Sequence, residues 1–122
     1  MNNPRITKKE QGLIKGALRR VFSRSDLRNA VIEASIVKHN NPDRPKVKTW
    51  CLCNVCKKPE AKSYMAVDHI EPLIPVSTSF AEMSLDEFID RLWCVIDNLQ
   101  AICPTCHDEK TAIERKARKK KK

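Results

Sequence analysis

Apolar residues recur at helical spacing over the first forty positions. Thr7 and Glu10 match a capping box, in which the first side chain caps a helix and the second reaches back to the cap. The apolar positions behind them share one helix face: Leu13, Ile14, Ala17, Leu18, Val21 and Phe22. After Ser25 a second stripe follows: Leu27, Ala30, Val31 and Ala34. The pattern predicts a helical hairpin over residues 8–23 and 26–38.

The hydrophobic pattern breaks into short runs after residue 38. Residues 39–48 hold two prolines and two asparagines among alternating charges, which is typical of a linker. Short apolar runs predict strands within 47–52, 63–70 and 98–102. Residues 72–83, with two prolines and several small side chains, are predicted to form a loop.

Two more helices are predicted in the second half of the chain. Ser84 and Glu87 repeat the capping-box pattern. The apolar positions around them lie on one helix face: Leu85, Phe88, Ile89 and Leu92. A final helix is predicted to begin near Pro104 and to run through Lys110 into the basic end of the chain. Helices mixed with short strands indicate an α+β fold.

Charge is distributed unevenly along the 122 residues, whose net charge is +9. Residues 1–50 carry a net charge of +8, residues 51–114 carry −6, and residues 115–122 carry +7. Basic ends on a small domain indicate a nucleic-acid partner, through contacts to phosphates. A solvated surface or a solubilising tail is the alternative, since runs such as 116–122 are often disordered.

The composition also bears on the compartment. No apolar run approaches the roughly 18 residues of a membrane span, and the first residues lack the apolar stretch of a secretory signal. We therefore expect a cytoplasmic protein with no membrane partner. Six cysteines in a reducing compartment indicate metal ligands before disulfides.

Two cysteine pairs have the spacing of metal knuckles. Cys53 and Cys56 form one pair, Cys103 and Cys106 form another, and 46 residues separate the two pairs. Two such turns complete a tetrahedral zinc site, which would fix both ends of the segment between them. Cys51 also stands two residues from Cys53, so it is an alternative ligand, although the other pair favours Cys53. Cys94 is expected in the core.

A second candidate site involves Asp68, His69 and His107. If zinc already has four sulfur ligands, His107 must serve another purpose. Adjacent residues on a strand point to opposite faces, so Asp68 and His69 cannot do the same work. One of them can bind a metal together with His107, while the other faces water or substrate.

Three stretches resemble the HNH, or ββα-metal, nuclease family. They are VDHIEPL (67–73), DNLQAIC (97–103) and CPTCHDEKT (103–111), in the order that the family has them. The resemblance covers about residues 50–115, and the layout is similar to the small HNH endonucleases of tailed phages. Many members have a short glycine-containing loop between the first two stretches, whereas here 28 residues (70–97) intervene, without a glycine.

The resemblance implies a role for each matching residue. His69 would be the general base, and Asp68 and His107 would hold the catalytic divalent cation, Mg²⁺, Mn²⁺ or another transition metal. Asn98 would brace the loop and so orient His69. Lys110 would support the site or contact a phosphate. Apart from the resemblance, Arg19 and Arg20 of the predicted hairpin are either solvated or in contact with DNA.

The sequence and the resemblance together predict three regions. Residues 1–46 form a basic helical arm and linker, 47–115 an HNH nuclease domain braced by a zinc site of four cysteines, and 116–122 a disordered basic tail. The expected function is metal-dependent DNA cleavage in phage homing or packaging, with a homodimer or packaging proteins as further partners. A non-catalytic zinc ribbon that binds nucleic acid is the alternative, and an RNA-directed nuclease or one within a larger assembly is a third.

Overall fold

The computed structural model describes residues 5–74 and 82–120, and in these residues the chain is a small α+β protein. These described residues form four α-helices and two small antiparallel sheets. The helices are α1 (Lys8–Phe22), α2 (Asp26–Ala34), α3 (Leu85–Leu92) and α4 (Pro104–Lys120). The strands are β1 (Ile36–Val37), β2 (Trp50–Leu52), β3 (Pro59–Ala61), β4 (Ala66–His69) and β5 (Leu99–Ile102). Part of the predicted loop 72–83 lies outside the described residues.

The capping residues predicted for the helices are found in place. The Thr7 hydroxyl accepts from the Glu10 amide at 3.1 Å, and the Glu10 carboxylate accepts from the Thr7 amide at 2.9 Å. These two bonds satisfy amides that a helix start would otherwise leave unpaired. Ser84 caps α3 in a similar way, because its hydroxyl accepts from the Glu87 amide at 3.2 Å.

The second helix is shorter than predicted. It ends at Ala34 instead of 38, and residues 36–37 form β1. Ile36 pairs with Cys51 and Val37 with Trp50, so the chain leaves the helix to join a sheet. That pairing is a tertiary effect, and the apolar spacing of residues 36–37 does not distinguish it from one more helical turn.

The strands form two sheets, and their number and bounds differ from those predicted. One has the order β1-β2-β3 and the other pairs β4 with β5. The run at 63–70 splits into a short 3-10 helix, Lys62–Tyr64, and strand β4. In the β4–β5 pair, Asp68 lies opposite Gln100 and His69 lies opposite Leu99. Strand β3 was not predicted, since Pro59 and Glu60 are unusual strand residues.

A shared hydrophobic core joins the helical hairpin to the cysteine-bearing half. Phe22, Val31 and Ile32 of the hairpin belong to the same buried cluster as Phe88 of α3 and Leu99 of β5. The predicted boundary at residue 46 therefore does not separate two cores.

The predicted linker packs against the sheet. In it, Arg44 forms an ion pair with Glu60 at 2.7 Å and lies over the Trp50 ring, 5.2 Å from its centre. The His39 ring meets the same indole edge-on at 4.7 Å. Residues 39–48 are therefore a packed connection between the hairpin and β2.

Helix α4 extends into the region predicted to be a disordered tail. It begins at Pro104 and continues to Lys120, so residues 116–120 are helical, and the prediction of disorder was wrong for them. Among the described residues, none of the helices has the length and apolar character required to cross a membrane.

Candidate metal and catalytic centre

Four cysteines from two distant turns converge at one point. The sulfur atoms of Cys53, Cys56, Cys103 and Cys106 all lie within 4.8 Å of one another, and those of Cys56 and Cys103 are 3.9 Å apart. Sulfurs around a tetrahedral zinc lie about 3.8 Å apart, given Zn–S bonds of about 2.3 Å. The donor set and its spacing therefore fit a structural metal such as zinc. We call these four residues the four-cysteine cluster.

The two remaining cysteines lie outside this cluster. Cys51 is buried in the core, with its sulfur 3.9 Å from the Ile32 carbonyl oxygen. Cys94 is partly buried against the core, and its sulfur lies 3.7 Å from the Asn98 amide nitrogen. The ambiguity between Cys51 and Cys53 is thereby resolved in favour of Cys53, because strand β2 turns the Cys51 side chain into the core.

Backbone amides around the knuckles act on the thiols. Burial acts to raise the pKa of Cys53. Hydrogen bonds from the backbone amides of Cys103, Cys56 and Val55, and then from the Cys56 thiol, outweigh burial and lower that pKa to about 6. Burial, followed by the neighbouring thiols and the charge on Cys53, raises the pKa of Cys106 to about 12. One thiolate is thus stable in the cluster alone, whereas further thiolates need a cation.

The first knuckle is closed by an unusual backbone conformation. Lys57 has a φ of 61°, in the left-handed region that costs most side chains about 1–2 kcal/mol. Its amide donates to the Cys53 carbonyl at 3.0 Å, and the Asn54 amide donates to the Ala101 carbonyl of β5 at 2.9 Å. The knuckle is thereby tied to the sheet that carries Asp68 and His69.

Asp68, His69 and His107 line one cleft of about 390 Å³. The first two lie at the end of β4, and His107 lies in the first turn of α4, directly after the second knuckle. Helix α4 presents His107, Thr111, Glu114 and Arg118 to the cleft, a spacing of four, three and four residues that places them on one helix face. Arg19 and Phe22 of α1 line the cleft from the hairpin.

The surroundings of His69 define its tautomer. Its Nε2 atom lies 3.0 Å from the carbonyl oxygen of Leu92, and its ring is 5.5 Å from that of Phe22. Because a carbonyl oxygen only accepts, Nε2 carries the proton of the neutral ring. The lone pair is then on Nδ1, which is the atom able to take a proton.

Asp68 is oriented by two neighbours. Its Oδ2 atom accepts from the Gln100 amide at 3.0 Å and lies 3.3 Å from the Lys110 ammonium. Gln100 is held in turn by Asn54, which donates to it at 2.8 Å. Since both contacts are made by Oδ2, Oδ1 is the oxygen that a cation would take. One carboxylate and one imidazole suit a divalent cation whose other ligands are waters and phosphate oxygens.

Lys110 joins the two halves of the site. Its ammonium donates to the Glu114 carboxylate at 2.6 Å and to the His69 carbonyl at 3.1 Å, besides contacting Asp68. Burial acts to lower the pKa of Lys110, but the hydrogen bond to Glu114 and the charges of Asp68 and Glu114 outweigh it and raise the pKa. With three protein oxygens around its ammonium, Lys110 suits positioning better than a phosphate contact.

Asn98 holds the chain just beyond β4. Its side-chain oxygen accepts from the Glu71 amide at 2.8 Å, its nitrogen approaches the Glu71 carbonyl at 3.4 Å, and its backbone carbonyl accepts from the Ile70 amide at 2.8 Å. These bonds fix the two residues that follow His69.

The arginines of α1 lie on different surfaces. Arg19 lines the cleft and lies over the Phe88 ring at 5.8 Å. Arg20 lines a separate depression near the α1–α2 turn. Arg118, whose guanidinium donates to the Ile74 carbonyl, is a cleft residue that the sequence did not suggest.

Gln100 and Glu114 were also missed by the sequence reasoning. Glu114 could have been found from the sequence, because it lies seven residues after His107 and so on the same face of α4. Gln100 has no local signal, since it meets Asp68 through strand register alone. Comparisons of the chain with protein-family models, with curated proteins and with solved structures find no match.

Proposed function

We propose that this protein is a metal-dependent DNA endonuclease of the HNH type. The observation that carries the proposal is the convergence of Asp68, His69 and His107 on one cleft, from a strand end and from a helix start beside the four-cysteine cluster. A carboxylate, a base and a second ligand around one cavity are the groups that phosphodiester hydrolysis needs.

In this proposal His69 takes a proton from the attacking water. The Leu92 carbonyl keeps the proton on Nε2, so Nδ1 is the acceptor, and the Phe22 ring limits rotation of the imidazole. A neutral imidazole is suited to general-base catalysis near neutral pH.

Asp68 and His107 hold the divalent cation. When bound, that cation would neutralise charge on the phosphate and on the departing 3′ oxygen. Gln100 and Lys110 keep the Asp68 carboxylate in one orientation. The expected products carry 5′-phosphate and 3′-hydroxyl ends.

The four-cysteine cluster acts as scaffolding in this proposal. Cys103 and Cys106 flank the first residues of α4, so a bound zinc fixes the helix start that carries His107. A zinc with four sulfur ligands has no open position for substrate, which is typical of a structural site.

Supercoiled plasmid incubated with the protein and Mg²⁺ or Mn²⁺ tests the proposal. We expect nicking or linearisation by the wild-type protein, and a rate lower by about 10²- to 10⁴-fold for His69→Ala. His39→Ala is the matched control, because His39 contacts Trp50 edge-on and lines none of the cleft. Zinc content and DNA affinity should be equal in all three proteins.

The zinc-ribbon alternative gives a different result in the same assay. Its support is the four-cysteine cluster and the basic surface, which a binding module would also need. It predicts a mobility shift of the plasmid without strand breaks, and no difference between His69→Ala and wild type. A parallel assay on RNA of the same sequence separates a DNA from an RNA substrate.

A further inference from the structure

A basic groove lies on the surface formed by α2, the 39–48 connection and the 3-10 helix that precedes β4. Its volume is about 850 Å³. Arg28 lines it from α2, residues 43–49 form one wall, and Lys62 and Tyr64 belong to the 3-10 helix. None of the cleft residues lines this groove, so the two are separate.

The groove is strongly cationic. Five basic side chains line it, against one acidic side chain, Asp43: the five are Arg28, Arg44, Lys46, Lys48 and Lys62. Arg44 is paired with Glu60, and Lys62 is paired with Glu33. Among the described residues Arg28, Lys46 and Lys48 form no ion pair, so three of the five cations that line the groove are not neutralised by direct contact with a carboxylate.

One of the paired cations, Arg44, is held by two aromatic rings. The Arg44 guanidinium lies between the rings of Trp50 and Tyr64, at 5.2 and 5.6 Å from their centres. Tyr64 is 60% exposed and lines the groove, so its hydroxyl is available to a ligand. Tyrosine hydroxyls join lysine and arginine as donors to phosphate oxygens in protein–DNA interfaces.

We propose that this groove binds the phosphate backbone of the DNA substrate next to the cleaved bond. A DNA strand presents closely spaced negative charges, which match a row of unpaired cations and release counterions when they bind. The inference rests on the proposed function for the identity of the DNA, but it concerns residues outside the catalytic cleft.

One lining residue of the groove and one of the cleft lie close enough for a single DNA molecule to reach both. Tyr64 and Asp68 are four residues apart, so their Cα atoms are separated by at most about 14 Å. That length corresponds to about four base pairs of B-DNA. Contacts at the Tyr64 end of the groove would therefore fall within a few nucleotides of the bond at the cleft.

The salt dependence of DNA binding tests the inference. All proteins carry His69→Ala so that the DNA stays intact, and a labelled duplex is titrated at several salt concentrations. For Lys46→Ala/Lys48→Ala we expect the slope of log affinity against log salt to fall by about 1.8, or about 0.9 for each lost phosphate contact. Both lysines are exposed, so the unfolding midpoint should not change.

Lys8→Ala/Lys9→Ala is the matched control. It removes the same charge from exposed positions in the first turn of α1, which line none of the described grooves. The inference is overturned if the groove variant keeps the parent slope, or if the control loses as much. It is also overturned if the groove variant loses affinity for phosphatidylserine vesicles but not for DNA. Failure of plasmid nicking would instead contradict the nuclease proposal and leave the slope difference standing.

Discussion

The two ring nitrogens of His69 have different tasks. Nε2 is 3.0 Å from a backbone carbonyl that can only accept, so the protonated nitrogen is determined by the fold. The carbonyl belongs to Leu92, the last residue of α3. The helix in the long 70–97 segment therefore contributes directly to the tautomer of the proposed base. The helix matters to His69 because it places the carbonyl of Leu92, at its end, next to Nε2.

Asn98 is expected to position His69 without contacting substrate. Asn98→Ala removes two bonds to Glu71, and we expect a loss of about 1–2 kcal/mol of stability and up to about 10²-fold in nicking rate. The rate at saturating DNA should fall while KM and metal content stay constant. Asn98→Asp keeps the acceptor for the Glu71 amide and should recover part of the rate. A changed KM with a normal maximal rate would contradict the positioning role.

At the residue scale, spacing in the sequence was sufficient to identify those site residues that are neighbours along the chain. The two knuckles and the Asp68–His69 pair are local patterns, and the structure brings both to defined sites. Lys15 shows the opposite case. It lies among the apolar residues of α1 and is buried, with its ammonium donating to the Met83 carbonyl at 2.7 Å, 68 residues away. Burial lowers the pKa of Lys15, and no local pattern indicates such a distant partner.

At the scale of elements, helix α4 connects the four-cysteine cluster to the cleft. Cys103 and Cys106 hold its first turn, and His107, Glu114 and Arg118 follow on its cleft-facing side. The orientation of α4 therefore depends on the cluster, and the position of His107 depends on the orientation of α4.

Cys106→Ser should release the metal and unfold this part of the chain. Structural zinc contributes on the order of 10 kcal/mol in small domains, more than most such domains can lose. We expect metal content near zero and a lost thermal transition. Cys51→Ala is the control, since Cys51 is buried outside the cluster and its variant should keep the metal. A folded, metal-free and active Cys106→Ser protein would remove the scaffold role.

Metal affinity should depend steeply on pH. The pKa of Cys103 is raised by burial and that of Cys106 is about 12, so both hold protons below pH 9 in the metal-free protein. Binding must displace at least these two protons, and affinity should therefore fall by at least about 100-fold per pH unit from pH 9 to pH 6. Below about pH 6 Cys53 is protonated as well, because its pKa is depressed to that value, and the dependence should steepen. Competition with a chromophoric chelator measures how metal affinity changes with pH. A change in affinity of only tenfold per pH unit would contradict the prediction.

Element ends were harder to predict than element types. The helix starts at Thr7 and Ser84 follow from caps that lie within four residues of sequence. The end of α2 and the existence of β3 depend on pairing with β2, which begins 16 residues after α2 ends. A helical or strand period contains no information about such partners, so the sequence alone placed these boundaries incorrectly.

At the scale of the whole molecule, the hairpin is part of the fold. Phe22 at the end of α1 packs edge-on against Trp93 at 5.4 Å and also contacts the His69 ring at 5.5 Å, so the first helix supports the ring of the proposed base. The linker composition of 39–48 suggested independent parts, but composition reports only the local chain. The basic side chains of the packed hairpin and connection are therefore held in a fixed position relative to the cleft, which the proposed DNA binding would need.

The fragment 47–122 is accordingly expected not to fold, although it contains every proposed ligand and the base. Without the hairpin, the core loses Phe22, Val31 and Ile32, each worth about 1.5–3 kcal/mol of burial. The total, about 5–9 kcal/mol, equals the whole stability of many small domains. With zinc present, the fragment should show no cooperative thermal transition and no nicking, whereas a chain lacking only residues 119–122 should show both. A fragment 47–122 that unfolds cooperatively and cuts plasmid would mean that the nuclease core is independent and that the hairpin is an added DNA-binding arm.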